Sequence, residues 1–361
     1  MKTFDGYMHG IGIGGWLTNY KRFKFIPSEL RTVISPGDIE HFNTFMTSKD
    51  IESIASWGMD HIRFPFDYLI IEDEDKPLVY KEDGFRYLDE CLSWCKRAGL
   101  NVIFDLHKAA GASCDFASEV SIVDDPGLRR RFIGLWCEMA RRYRSEGDNV
   151  AFELLNEIAV EHDHSWNALI KDAVAAIRSI DPKRKIVVGC NRYNSVPRLK
   201  ALDVLDDDNI IYTFHCYEPM EFTHQRAVIM PVIASFNMYM KYPSEIEPYR
   251  AYRRFAKAKT DPYAGFDRMD RAFMEHWLEP AVEFLRKHNR PLYCGEFGVI
   301  RHCDIVSREN YYRDLIAICD ANGIGHCAWN YLTAPYDANR FSIVDDWDRK
   351  PLSEELIRII S

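Results

Sequence analysis

The chain has 361 residues, 47% of them hydrophobic and 28% charged, with a formal net charge of −9. That acidity speaks against a nucleic-acid or anionic-membrane surface, which would need a basic patch, and no run reaches the apolar length of a membrane span. The length suits one α/β barrel with an insertion, and the composition suits a soluble protein with a large core.

The stretch Met1-Lys2-Thr3-Phe4-Asp5-Gly6-Tyr7-Met8-His9 lacks the apolar core of a secretory signal. The 10 cysteines are scattered with no Cys-x-x-Cys pair. Such thiols fit buried apolar positions in a reducing compartment, so a cytoplasmic protein is expected.

A first strand is predicted near residues 8–13, before Gly14-Gly15-Trp16. Thr47-x-x-Asp50 can box the start of a helix over 49–57, with Gly58 as its stop. His61-Ile62-Arg63-Phe64 reads as a second strand halted by Pro65. Asp83 can cap a helix over 85–98 that ends at Gly99. Strand three covers 101–106, and Asp125-Pro126 opens a helix to Tyr143 with proline at its favoured first position. Arg129-Arg130-Arg131 and Arg141-Arg142 on that helix read as a solvated face.

Strand four, 150–155, precedes a helix over 165–180, and strand five, 186–189, a short helix over 196–205. Strand six is 210–214. A helix over 275–288 leads to strand seven, 291–294, and one over 307–321 to strand eight, 325–329. A last helix spans Glu354–Ile360. Eight strands alternating with helices describe a TIM (β/α)8 barrel better than an open doubly wound sheet. The crossover after strand six, about 220–271, is too long for one helix. Its aromatics and helical periodicity predict an inserted helical subdomain beside the barrel mouth. With no repeat or long linker, residues 1–361 read as a single domain, and a monomer is expected.

Polar or aromatic groups follow most of these strands: Arg63, His107, Asn156-Glu157, His215 and Tyr217, Glu296, and Trp329. Active sites of this fold sit at the C-terminal strand ends. A lone strand-end histidine is ordinarily structural; a set recurring at corresponding ends is hard to attribute to packing. Glu157 closes Ala151-Phe152-Glu153-Leu154-Leu155-Asn156-Glu157, and Glu296 lies in Tyr293-Cys294-Gly295-Glu296-Phe297-Gly298, far away in the chain. Two carboxyl groups facing each other can cleave a glycosidic bond with retention. One protonates the departing oxygen and the other attacks the anomeric carbon. That chemistry calls for no cofactor and no metal. Glu153 rivals Glu157, but four residues of strand span about 13 Å, which puts it deep in the barrel, paired with a donor. Asp105, below His107, is expected to be structural as well.

The motifs Gly10-x-x-x-Gly14-Gly15-Trp16, Arg63-Phe64-Pro65, Asp105-Leu106-His107, Leu155-Asn156-Glu157, His215-Cys216-Tyr217-Glu218-Pro219, Gly295-Glu296-Phe297-Gly298 and Phe341-Ser342-Ile343-Val344-Asp345 resemble glycoside hydrolase family 5. They span essentially the whole chain. His41-Phe42-Asn43-Thr44-Phe45, Trp94-Cys95-Lys96, Tyr193-Asn194-Ser195 and Phe222-Thr223-His224-Gln225 look like its leaderless clostridial-type endo-β-1,4-glucanases. The loop after strand three departs from them. It reads His107-Lys108-Ala109-Ala110-Gly111-Ala112-Ser113-Cys114 in place of a second histidine and a Pro-Gly turn.

The resemblance implies a retaining hydrolase of β-linked glucans or gluco-oligosaccharides, with Glu157 as acid/base and Glu296 as nucleophile. It also assigns Arg63, His107, Asn156, His215, Tyr217 and Trp329 to the site. Glu157 must arrive protonated, so burial and the charge of Glu296 should raise its pKa. Glu296 must stay ionised, which Arg63 and the Tyr217 hydroxyl can favour. Asn156 can donate to the sugar 2-hydroxyl, and Trp329 can floor the bond-cleaving subsite. Trp16 and Tyr193 are candidates for further subsites.

Other readings compete. Glu161-His162-Asp163-His164 and His302-Cys303-Asp304 could ligate a metal. A barrel could also bind carbohydrate without cleaving it. Within the glycosidases, an exo-acting β-glucosidase or β-1,3-glucanase, or a mannanase, is the runner-up.

Overall fold

Eight parallel strands close into a barrel in the computed structural model, which describes residues 2–18, 30, 32–112, 120–334 and 337–361. They are β1 (His9–Gly12), β2 (His61–Asp67), β3 (Asn101–Lys108), β4 (Val150–Glu153), β5 (Lys185–Gly189), β6 (Ile210–Cys216), β7 (Leu292–Phe297) and β8 (Gly325–Ala328). Neighbours run β1-β8-β7-β6-β5-β4-β3-β2, so β1 and β8 form the closing seam.

Side-chain alternation along the strands divides the interior in two. Ile103, Ala151, Val187, Ile211, Tyr293 and Cys327 pack with Phe4 and Tyr7 as an apolar plug inside the barrel. Their chain neighbours Phe104, Phe152, Val188, Tyr212, Cys294 and Ala328 belong to the larger core beneath the helices. Two residues beyond the plug, β3 and β4 present Asp105 and Glu153, both buried. The barrel thus changes from an apolar base to a polar upper layer.

Most helices begin and end where their local chemistry directs. Ser48–Ser56 starts behind a Thr47/Asp50 capping box. Asp125 accepts from the backbone N–H groups of Gly127 and Leu128 at the head of Pro126–Arg142. Glu82–Ala98 stops at Gly99, whose φ of 76° is the left-handed cap that glycine favours. Asp83 does not cap that helix; it lies in the first turn, behind Lys81. A helix Pro36–Thr44, foreseen by no periodicity, follows a Ser35/Asp38 capping box with proline in its first turn. Of the arginines expected on a solvated face, Arg130 and Arg141 are exposed, but others are tied down. Arg131 is buried against Glu72 and Glu74, and Arg142 reaches Glu82 and Asp89.

Pro65 does not halt β2, which continues to Asp67. Ile13 N donates to the Arg63 carbonyl and Asp67 N to the Leu17 carbonyl, so alternate residues of β2 turn their polar backbone towards β1. Pro65 falls between these two, beyond Gly12 where β1 ends. Its missing N–H therefore removes no ladder bond.

The crossover after β6 holds helices Met220–Thr223, Pro231–Phe236 and Glu247–Phe255. It also contains a two-stranded antiparallel ribbon, Ser244–Glu245 with Arg268–Met269, which the helical periodicity did not suggest. After β3, Ala109 and Ala112 exchange backbone hydrogen bonds in a tight turn. Ser113 and Cys114 lie outside the described residues.

Candidate active site

A cavity of about 380 Å³ opens where the strands end. His107 comes from β3, Asn156 and Glu157 from the segment after β4, and His215 and Tyr217 from the end of β6. Glu296 comes from β7 and Trp329 from just beyond β8; Tyr193 joins from the short turn after β5. All eight line the cavity.

Arg63 lies beneath it, fully buried, and organises the floor. Its Nη1 donates to Glu296 Oε1 at 2.6 Å, and its Nε and Nη2 donate to the two Glu153 oxygens at 2.7 and 2.9 Å. Nη2 also donates to Asn156 Oδ1 at 2.9 Å and lies 3.0 Å from Asp105 Oδ2. Glu153 and Asp105 therefore serve as buried counter-charges, as their depth in the barrel suggested. A guanidinium presents donors in a fixed plane, so one side chain orients four partners.

The bond from Arg63 to Asn156 Oδ1 fixes the Asn156 amide. Its Nδ2 then faces His107 Nε2, 3.4 Å away, as donor to acceptor. The His107 proton consequently sits on Nδ1, which donates to Asp105 Oδ2 at 2.7 Å. Burial pushes His107 down to about 4, so the ring is neutral near pH 7. His215 is pushed to about 4 by the same cause, and its Nδ1 lies 2.8 Å from Glu157 Oε1.

Glu157 and Glu296 occupy different surroundings. Tyr217 donates its hydroxyl to Glu296 Oε2 at 2.9 Å, opposite the Arg63 bond to Oε1, so Glu296 is held by two donors. Burial raises Glu157 to about 7. Among charges, Glu153 rather than Glu296 adds to the rise, while His107 and Arg63 oppose it. The expected influence of Glu296 is corrected accordingly. Glu157 has a φ of 32°, a strained conformation for a residue with a Cβ, and it stands where the chain turns away from β4. One carboxylate oxygen from each glutamate and a His215 nitrogen lie within 4.8 Å of one another. A protonated carboxyl facing a carboxylate held by donors can run acid–nucleophile chemistry on a bond between them.

Trp329 rests on β1 and the turn after it. A Cβ on Gly14 would fall 2.3 Å from its indole, so the glycine leaves room for the ring. His107 stacks parallel to the indole with ring centroids 5.7 Å apart. Trp16 does not reach the cleft. It is buried between Phe64 and Trp94, stacked on both, and its Nε1 donates to the Phe42 carbonyl. Its subsite reading is therefore corrected to packing: with its one donor satisfied inside, the indole belongs to the core.

Further lining groups carried no strand-end signal. Met220, His224, Ile229 and Met230 come from the crossover after β6, while Thr333, Asp337, Asn339 and Phe341 follow β8. His224 lay inside the quoted Phe222-Thr223-His224-Gln225 motif, but its position in a loop gave no direction. Among the described residues, neither Glu161-His162-Asp163-His164 nor His302-Cys303-Asp304 gathers three ligand atoms. Asp163 is instead engaged by Asn191 and Arg198.

Comparison with known proteins agrees with this geometry. The cellulase (glycosyl hydrolase family 5) domain matches residues 23–334. Endoglucanase C of Acetivibrio thermocellus is 38% identical over 358 residues, covering 98% of this chain and 97% of the relative. Cellodextrinase A of Ruminococcus flavefaciens is 34% identical over 309 residues, covering 84% and 79%. Among solved structures, Thermotoga maritima Cel5A in complex with cellobiose superposes with a TM-score of 0.75 at 22% identity, covering 100% of this chain and 99% of that one. The barrel, the carboxylate pair and the full-length likeness converge, and the chain belongs to glycosyl hydrolase family 5, as a glycoside hydrolase.

Proposed function

We propose that this enzyme cleaves β-1,4-linked glucans and cello-oligosaccharides, including mixed-linkage glucan, by double displacement with Glu157 as acid/base and Glu296 as nucleophile. The observation that carries the reading is the paired environment. Glu157, raised to about 7, faces a Glu296 held by Arg63 and Tyr217, with their oxygens within 4.8 Å. In the first step Glu157 gives its proton to the leaving oxygen while Glu296 attacks the anomeric carbon, breaking the glycosidic bond. In the second, Glu157 takes a proton from water, which displaces Glu296 from the sugar.

The other residues have supporting parts. Asn156 keeps one amide proton for the sugar beyond its contact with His107, positioned to meet the 2-hydroxyl as charge builds in the transition state. Trp329 offers a flat apolar face, and Tyr193 lines the opposite reaches of chain order, after β5. Relatives named as an endoglucanase and a cellodextrinase support glucans and cellodextrins as substrates. The nine described cysteines are free thiols, and all but Cys137 are buried, which supports work in a reducing compartment such as the cytoplasm.

Product profiling on cello-oligosaccharides, mixed-linkage glucan and an aryl β-glucoside tests the assignment. Internal cleavage of the oligosaccharides and the mixed-linkage polymer is expected. Rapid turnover of the aryl monoglucoside with neither of the others cut would replace it with an exo-acting β-glucosidase. Glu296→Gln should abolish turnover while leaving oligosaccharide binding measurable, which separates an enzyme from a carbohydrate-binding barrel.

A further inference from the structure

The closing seam of the barrel carries a side-chain cluster that the cleft does not use. His9 opens β1, and its register partner on β8 is His326. Both stand near the starts of their strands, and His326 is in register with Cys294, two residues before Glu296. The two rings meet edge to face with centroids 4.9 Å apart. Asp320 reaches them from the last turn of the helix Ile305–Ala321, its Oδ1 3.4 Å from His326 Nε2. One potential ligand atom from each of the three lies within 4.8 Å of the others.

Hydrogen bonding leaves this cluster incomplete. His326 is 1% exposed, and its Nε2 has only the long 3.4 Å approach of Asp320 Oδ1, which falls short of a well-formed hydrogen bond, while His9 Nδ1 is buried without a partner. Buried polar atoms are rarely left so, because each forfeits its solvation. An imidazole nitrogen with a free lone pair is also the commonest protein ligand for a transition metal. The separation of 3.4 Å exceeds a usual N–H···O bond. It equals the edge between two ligands of a tetrahedral ion with bonds of about 2.0–2.1 Å. Asp320 adds a further sign: an acidic side chain in the last turn of a helix opposes the helix dipole, and a cation beside it offsets that cost.

We propose that His9, His326 and Asp320 form a metal site, of a kind suited to zinc, that ties β1, β8 and the helix Ile305–Ala321 together where the barrel closes. Two imidazoles and one carboxylate are a zinc-type donor set, and the half-exposed Asp320 side chain leaves a solvent-facing position for water. The ion stabilises the fold and takes no part in hydrolysis, because His326 alternates with the inward-packed Cys327 and turns to the outer face of the barrel wall, whereas Glu296 lines the cleft. Joining residues 9 and 326 closes nearly the whole chain into one loop, which is where a clamp constrains the unfolded ensemble most.

The test uses the full chain after chelation and dialysis, with Co²⁺ as the spectroscopic probe and Zn²⁺ in calorimetry. One equivalent of Co²⁺ should bind with the strong visible absorption of a tetrahedral site, and Zn²⁺ should displace it. At a hundredfold excess over Kd, Zn²⁺ should raise Tm by about 3 °C. His9→Gln and Asp320→Asn should each weaken binding at least tenfold, an order-of-magnitude expectation for a lost ligand contact, with kcat unchanged below Tm. Two substitutions are used so that a fold defect in one does not decide the matter. Absence of any saturable Co²⁺ or Zn²⁺ binding overturns the proposal. Binding that survives intact in both variants also overturns it, since the metal would then sit at His162 and His164 or between Glu157, His215 and Glu296.

Discussion

Arg63 Nη1 and Glu296 Oε1 are joined at 2.6 Å inside the barrel, and the same guanidinium holds Glu153 through two of its other donors. Arg63 therefore ties the proposed nucleophile to a buried carboxylate on another strand. Removing its charge leaves Glu153 without a cation and Asp105 with only the neutral His107 ring, both at zero exposure. Arg63→Ala should lower stability by about 3–5 kcal/mol, the range for breaking a buried ion pair from one side. Arg63→Lys keeps a charge but cannot fork to Glu153 and Glu296 together. It should fold, with kcat reduced on the order of tenfold to a hundredfold for one lost charge-assisted bond. Urea unfolding and steady-state kinetics measure the two effects. A wild-type kcat in Arg63→Lys would show that the fork does not matter to chemistry.

The raised pKa of Glu157 makes a prediction of definite sign. As a general acid it must carry its proton, so kcat/KM should fall above about pH 7. For stability, the folded carboxyl titrates near 7 and the unfolded one near 4.3. Between these values the folded state binds more protons, so this residue's contribution worsens as pH rises through the window. Above it, the ionised carboxyl is a standing cost of roughly 3–4 kcal/mol, an order-of-magnitude figure for a shift good to about a unit. Glu157→Gln should thus match the wild type in stability at pH 4 and exceed it at pH 8. Thermal melts at both values check this. Asp105, also raised to about 7 by burial, is pushed up in part by the Glu157 charge, so it is relieved in Glu157→Gln and adds to the difference with the same sign. A flat kcat/KM from pH 6 to 9 would remove Glu157 from the acid role.

Gly14 should matter through Trp329. An added Cβ lands 2.3 Å from the indole, and the ring, rather than the β1 backbone, is the part able to move. Gly14→Ala should therefore tilt the proposed subsite floor and break its parallel stack on His107. KM for cello-oligosaccharides should rise several-fold, while an aryl substrate with a good leaving group is less affected. Trp329→Ala should show the same pattern more strongly. Equal losses on both substrates would mean that the glycine serves the fold alone.

The sequence made the barrel legible because most strands are short apolar runs ending in a polar or aromatic group, and the caps at Thr47, Asp125 and Gly99 mark helix ends locally. The same local signals located Glu157 and Glu296. What stayed hidden depended on neighbours. Pro65 looked like a stop because its strand partner's length was unknown. Trp16 looked like a platform because the stacking of Phe64 and Trp94 on it is a contact between distant elements. The lining from Met230 and Phe341 lies in loops, where periodicity carries no direction.

The spacing of the two glutamates fixes a stereochemical outcome and then separates their roles. Their oxygens come within 4.8 Å, short of the about 6.5–9.5 Å that an inverting enzyme leaves for water. Proton NMR of a fresh digest should show the β-anomer first, with the α-anomer growing only by mutarotation. Azide then distinguishes the pair on an activated aryl β-glycoside. In Glu296→Ala it enters from the vacated nucleophile's face, giving an α-glycosyl azide in one step. In Glu157→Ala it intercepts the glycosyl-enzyme from the opposite face, giving the β-azide after two inversions. The environments favour this order, because only Glu296 is held by Arg63 and Tyr217 together. Exchange of the two azide products between the variants would reverse the assignment while leaving the double displacement intact.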